Sequence, residues 1–204
     1  MNEPYLTAPP GTTAPSPDDA AAIERSWDEP ECFGAVFDAH YTEIHGYASR
    51  RLGPHAADDV CAETFALAFS RRRRYDLSHS SARPWLYGIA TNVISRHRRD
   101  EVRLLRAVDK LHPRAEPSQG HEEEVAAKVS AQRVTRTLAG AIAALPAAQR
   151  DVLLLVALAG LSYDEVAQAL DVPFGTVSSR LNRARKKLRK ALGGTNPLLD
   201  EEEV

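Results

Sequence analysis

The chain has 204 residues, 43% of them hydrophobic and 6% aromatic, with 26 Lys/Arg against 28 Asp/Glu for a net charge of −2. Ala, Leu and Arg dominate, which favours helices over sheets, and the length suits one large domain or two small ones. Two cysteines without close pairing, an N-terminus without a basic-then-apolar leader and no apolar run near the roughly twenty residues of a bilayer span argue against a disulfide scaffold, a secreted protein and a membrane-inserted one.

The small net charge hides strong segregation. Residues 71–114 carry twelve Lys/Arg against four Asp/Glu, and residues 173–195 carry seven against none. The first seventy residues carry twelve acids against three bases, and the last five contain four acids. Two basic blocks on one chain suggest two separate polyanion contacts, whereas one alone could equally be a solvated helix face.

Residues 1–30, with Pro4, Pro9, Pro10, Pro15, Pro17 and Pro30 among Ala, Thr and acids, lack periodicity and read as a disordered tail. Phe33, Val36, Phe37, His40, Tyr41, Ile44 and Tyr47 then recur at helical spacing up to the stop Leu52-Gly53-Pro54. A second helix from about His55 to Arg72 points Cys61, Phe65, Ala68 and Phe69 towards a core and carries Asp58, Asp59 and Glu63 on another side. Asp58 and Asp59 suit the helix dipole, an explanation Glu63 needs less.

The polar segment Arg71–Arg83 reads as a helix end and a loop. Pro84 opens the next helix, with Trp85, Leu86, Ile89 and Val93 as its buried stripe and Asn92, Arg96 and Arg99 on another face. An Arg-rich loop followed by a basic helix with aromatics suits nucleic acid with exposed bases, although Trp85 by itself fits a core position better than a base-stacking one. From Val108 the pattern decays into DKLHPRAEPSQGHEEE, a domain boundary. His112 and His121 have no partners at metal-ligand spacing.

The second unit starts with a helix at about 123–144, broken by Leu145-Pro146, followed by a very apolar helix over 147–159 that Gly160 closes. Ser162 and Glu165 form a capping box for the helix 163–170, and a turn at Asp171–Phe174 leads into a long basic helix. Val177, Leu181, Ala184, Leu188 and Ala191 are its apolar stripe, while Thr176, Ser179, Arg180 and Arg183 share the face where a helix in a major groove meets DNA. This is the pattern of a helix-turn-helix reader of duplex DNA. The chain then ends in a polar tail after Gly193-Gly194.

With these residues in view, the chain resembles a bacterial RNA polymerase sigma factor of the extracytoplasmic-function (ECF) type, over about 33–103 and 125–192. The carriers in region 2 are the run Ala57 to Phe65 (ADDVCAETF) and the run Trp85 to Asn92 (WLYGIATN). In region 4 they are Leu145 to Arg150 (LPAAQR), Leu161 to Ala167 (LSYDEVA) and Gly175 to Arg185 (GTVSSRLNRAR). Many relatives have Gln where this chain has Ala62, and the proline-rich tail exceeds the family minimum.

The resemblance implies an all-α fold of two small helical domains, region 2 over 31–107 and region 4 over 123–193, with a tail at 1–30, a linker at 108–122 and an acidic tail at 194–204. It implies that Asp58, Asp59 and Glu63 grip the β′ clamp helices of core polymerase. Arg83, Trp85, Asn92, Arg96 and Arg99 would meet the melted −10 element. Ser178, Ser179, Asn182 and Arg183 would touch the −35 element, with Thr176 and Arg180 on phosphates. It also implies contact with the β flap, promoter DNA as ligand, control by an anti-sigma factor, a cytoplasmic location, and no cofactor, metal or catalytic residue. Two other readings compete. A helix-turn-helix regulator with a receiver domain would show alternating strands and helices, and a serine recombinase would show a strand-rich domain with a nucleophilic serine. The first unit reads all-helical instead.

Overall fold

A computed structural model describes residues 18–111 and 137–193, with residues 101–111 as backbone alone. The first unit contains α1 (Asp19–Arg25), α2 (Gly34–Leu52), α3 (Pro54–Arg71) and α4 (Arg83–Leu111), with 3-10 turns at Pro30–Phe33 and Arg72–Arg74. The second contains helical residues 137–143, then α5 (Ala147–Ala159), α6 (Tyr163–Leu170) and α7 (Phe174–Ala191). No strand occurs among the described residues. The all-α fold in two helical units is the expected one.

Gly53 separates α2 from α3 at φ 86°, a left-handed region that a side chain would resist, and Pro54 starts α3 at its first position. The two helices therefore fold back as a hairpin against which α4 packs. Val36, Ile44, Tyr47 and Ala48 of α2 meet Val60, Cys61, Phe65 and Ala68 of α3, and Leu86, Ala90, Val93 and Ile94 of α4 close the core. The steps of three and four along each helix put these apolar side chains on one face. Burial pushes the Cys61 thiol up to about 11, which leaves it an unreactive core group.

Two boundaries differ from the sequence expectation. The tail ends earlier than residue 30, because α1 forms, capped by Asp18, whose carboxylate accepts from the Ala21 amide at 3.3 Å. Ala20, Ala22 and Ile23 are buried against the first unit. A seven-residue helix with three alanines and one isoleucine carries too few turns to show a period, and its stability comes from packing. At the other side α4 runs on to Leu111, past the boundary expected after residue 107. The expected tail over 1–17, the linker over 112–122, the first part of the helix expected at 123–144 and the acidic tail over 194–204 lie outside the described residues.

In the second unit Gly160 ends α5 in the left-handed conformation at φ 64°. The capping box is complete: the Glu165 amide donates to Ser162 Oγ at 3.2 Å and the Ser162 amide to Glu165 Oε2 at 2.7 Å. Asp171, also left-handed at φ 50°, turns the chain from α6 into α7. Val152 and Leu155 of α5, Val166 of α6, and Val177 and Leu181 of α7 form the packed centre. That core is continuous with the first unit, because α4 lies along α6 and the end of α2 touches α5.

Candidate nucleic-acid and polymerase interface

The basic helix α7 is divided cleanly between core and solvent. Val177, Leu181 and Ala184 are buried, Leu188 is half-buried, and Ala191 at the frayed end is exposed. Ser178, Ser179, Asn182 and Arg183 are exposed, and Thr176 and Arg180 are half-buried at the rim. Ser179 Oγ donates to the Thr176 carbonyl at 3.0 Å, a contact that a base or phosphate could replace at small cost. No acid sits in the first turn of α7, so its amide ends and seven Lys/Arg present a uniformly positive surface. Residues three and four apart share the exposed face, which matches the reach of a recognition helix in a major groove.

The face expected to meet the melted strand is built differently. Trp85 stands half-buried against Tyr75, their ring centroids 5.0 Å apart, while Tyr75 donates its hydroxyl to the His79 carbonyl at 2.7 Å. Asn92 and Arg99 are exposed, Arg99 donating to the Ser95 carbonyl of its own helix at 3.2 Å. Arg71, Arg74, Trp85 and Asn92 line one wall of a groove of about 970 Å³ whose other wall is Gln168 and Asp171 of the second unit.

Arg96 and Glu63, expected to serve DNA and polymerase respectively, are paired with each other, and His97 Nε2 approaches the second Glu63 oxygen at 3.6 Å. Glu63 therefore ties α3 to α4. Asp58 and Asp59 remain exposed on α3, with His45 Nε2 3.0 Å from Asp58 Oδ1. His45 in turn stacks on Tyr41 at 5.6 Å, the start of an aromatic patch in which Phe37, 39% exposed, meets Tyr41 at 5.1 Å and Phe65 at 4.8 Å between ring centroids. Phe37 falls in the apolar period of α2, so only the tertiary packing reveals that its ring is left on the surface.

Arg83 is committed within the protein. Its Nε donates to Glu43 Oε2 at 2.9 Å, one terminal nitrogen to the Ala159 carbonyl at 2.6 Å, and the other approaches Glu165 Oε1 at 3.3 Å. The network continues from Glu43 to His40 Nδ1 at 2.7 Å and from His40 Nε2 to Asp19 Oδ2 at 2.8 Å. Burial works against a charged His40, but the hydrogen bonds it donates to the Asp19 and Glu43 carboxylates outweigh it and bring its pKa up to about 9. Burial would likewise raise Glu43, yet the bonds from His40 and Arg83 hold its carboxyl below the usual range. No group of His, Cys, Asp and Glu able to hold a metal ion occurs among the described residues.

The basic helix α7 and the Trp85 side of α4 fall in two different segments that family models match. Residues 36–104 match the family model of sigma-70 region 2 and residues 135–188 that of sigma-70 region 4. The chain belongs to the sigma-70 family, in its ECF group. It is 36% identical over 133 residues to the ECF RNA polymerase sigma factor SigC of Mycobacterium tuberculosis, covering 65% of this chain and 68% of that one. It is 30% identical over 177 residues to the ECF sigma factor SigE of Mycolicibacterium smegmatis, covering 85% of this chain but only 64% of the relative's length. Among solved structures, CnrH in complex with the cytosolic domain of CnrY superposes with a TM-score of 0.57 at 25% identity, covering 88% of this chain and 99% of CnrH. Among the described residues of this sigma factor, no helix is long and apolar enough to cross a membrane.

Proposed function

We propose that this sigma factor binds core RNA polymerase in the cytoplasm and directs promoter-specific initiation, supplying binding energy and no catalytic group of its own. The observation that carries the reading is the pairing of an exposed recognition face on α7 with a separate aromatic and basic groove along α4. The exposed acids Asp58 and Asp59, next to the Phe37 ring, are the surface offered to the β′ clamp helices, and Glu63 acts there through α4. Ser178, Ser179, Asn182 and Arg183 read the −35 duplex, and Thr176 and Arg180 meet its phosphates. Arg183 is suited to a bidentate guanine contact, worth about 1–3 kcal/mol of discrimination. Trp85, Asn92, Arg96 and Arg99 hold the melted −10 strand, where cationic contacts offset the cost of unstacking bases.

In the observed arrangement the second unit narrows the approach to Trp85, while Asn92, Arg96 and Arg99 stay exposed. Gly88 of α4 lies against Ala169 of α6, and the groove beside Trp85 and Asn92 is walled by the second unit. Capture of a strand at Trp85 therefore requires the second unit to swing away, which releases Arg83 from Glu165 and the Ala159 carbonyl while its bond to Glu43 stays within the first unit. An anti-sigma factor that holds this closed form would keep the Trp85 groove walled while leaving the α7 face exposed; CnrH, of similar fold, is solved with a separate protein bound.

Run-off transcription with purified core polymerase tests the reading. Addition of this chain should give initiation at defined start sites on a subset of genomic fragments. Footprinting of duplex DNA by the chain alone, with no initiation on any fragment, would reduce it to a plain helix-turn-helix binder.

A further inference from the structure

The short helix α1 and the turn behind it grip both ends of the loop that leads into the −10 face. At the near end, Arg72 Nε donates to the Ser26 carbonyl at 3.1 Å and an Arg73 terminal nitrogen to the Trp27 carbonyl at 2.8 Å. At the far end, the Asp19 amide donates to the Ser80 carbonyl at 3.1 Å, and Asp19 Oδ2 accepts the Ala82 amide at 2.8 Å. Asp19 is fully buried, shares Oδ2 with His40 Nε2, and keeps its other oxygen without a partner. The loop's other described hydrogen bonds are short-range: Ser78 to Asp76, His79 to Asp76, Tyr75 to His79, and Arg83 to Ser81. Such local turns shape the middle of the loop, buried Tyr75 and Ala82 and half-buried Leu77 seat it on the bundle, and the directional bonds to α1 fix the register of its far end. The next residues in the chain are Arg83, which starts α4, and Trp85.

A buried carboxylate that accepts a loop amide is a demanding arrangement, because its charge needs a counter-charge away from water. His40 supplies that charge from α2, and Glu43 shares it. The construction is heavier than a loop anchor requires, since a serine or a backbone carbonyl could satisfy one amide or its neighbour. What the charge adds is stiffness: a charge-assisted bond is shorter and about twice as strong as a neutral one.

We propose that Asp19 is a positioning residue for promoter melting, holding the loop Tyr75–Ala82 in the one register that presents it, with Trp85, to the −10 strand. The inference rests on the sigma-factor reading above. It makes α1 part of the −10 reader through the loop it holds. Removing the Asp19 carboxylate frees the Ala82 amide and leaves the Ser80 carbonyl held only by the residue-19 backbone amide, and the end of the loop then samples several registers. A loop in several registers still meets the backbone phosphates of the strand but discriminates poorly between bases.

The test uses full-length holoenzyme on two promoter libraries, one randomised at −10 and one at −35, each promoter linked to its own transcribed barcode and read by sequencing the barcodes in the run-off transcripts. Asp19→Ala should flatten the preference at −10 by about tenfold, roughly what one base position carries, and leave the −35 preference and core affinity unchanged. Asp19→Asn, which keeps a neutral acceptor for the Ala82 amide and disturbs folding least, should lie between the two, with faster hydrogen exchange at Ala82 than in the wild type. If the Asp19→Ala chain does not fold, the Asp19→Asn result decides alone. Loss of output by the same factor on every promoter, or a −10 preference as sharp as that of the wild type, would overturn the inference. Failure of the wild-type holoenzyme to initiate anywhere would instead overturn the sigma-factor reading.

Discussion

Gly88 of α4 and Ala169 of α6 touch backbone to backbone: a Cβ on Gly88 would overlap the Ala169 carbonyl oxygen and stand 3.1 Å from its carbonyl carbon. Neither helix can yield locally, since the obstacle is main chain. Within α4 alone, alanine is the better helix former by about 1 kcal/mol. Gly88→Ala should therefore leave the first unit as stable as before and separate the two units. The expected outcome is a larger radius of gyration in solution scattering and stronger capture of a single-stranded −10 oligonucleotide by the free chain. An unchanged radius together with unchanged capture would show that this contact does not hold the closed form.

The closed form has a second fastener at Arg51 and Asp151, 2.9 Å apart, with the Arg51 side chain only 1% exposed. Arg51 also donates to the Tyr47 hydroxyl at 2.8 Å. Asp151→Ala leaves a buried cation short of its counter-charge, at a cost of about 3–5 kcal/mol to the closed arrangement. The chain escapes that cost by opening, which returns Arg51 to water. Interdomain energy transfer should fall in Asp151→Ala and recover in the apolar double variant Arg51→Met with Asp151→Leu. A variant that stays closed and loses midpoint stability instead would mean that the pair supports folding rather than closure.

His40 makes stability depend on pH on the alkaline side. Its folded pKa of about 9 exceeds the ordinary value of 6.5, so the protonated form is the one the fold prefers. The stabilisation is fully present below about pH 6.5 and is lost as pH rises through about 9, in total about 1–3 kcal/mol. The facing groups are Asp19 and Glu43, and Glu43, held below its usual range, stays ionised throughout that window. Urea midpoints of the wild type should fall between pH 6 and 9.5 by more than those of His40→Gln. Parallel profiles for the two proteins would rule out this source.

Arg183 lies exposed on the recognition face of α7, whereas Arg180, one residue before the buried Leu181, is half-buried at its rim. Arg183→Ala should relax the preference at one −35 base pair, and Arg180→Ala should weaken binding to all sequences evenly and lower its salt dependence. Binding isotherms on duplexes substituted at each −35 position distinguish the two. Reversal of these patterns would exchange the roles of the two arginines.

Much of this architecture is legible in the one-dimensional pattern, because it depends on neighbours three and four residues apart. The stop at Gly53-Pro54, the capping box at Ser162 and Glu165, and the stripe Val177, Leu181, Ala184 are local matters, and the structure reproduces them. The exposed acids Asp58 and Asp59 and the exposed face from Ser178 to Arg183 belong to the same class, since a helix face follows from spacing alone.

What spacing cannot supply is which surfaces meet. The helix α1 depends on burial of Ala20, Ala22 and Ile23, an energy that no seven-residue pattern contains. Glu63 and Arg96, assigned by resemblance to two different ligands, find each other because α3 and α4 are neighbours in space. Arg83 joins Glu43 and Glu165 across 40 and 82 residues of chain. The sequence alone thus determined the longer helices and their polar faces, through local periodicity, but neither α1 nor the exposed Phe37 ring. Only the tertiary structure decided that Asp19 anchors the loop Tyr75–Ala82 and that Gly88 admits the second unit, because long-range contacts depend on how whole helices pack.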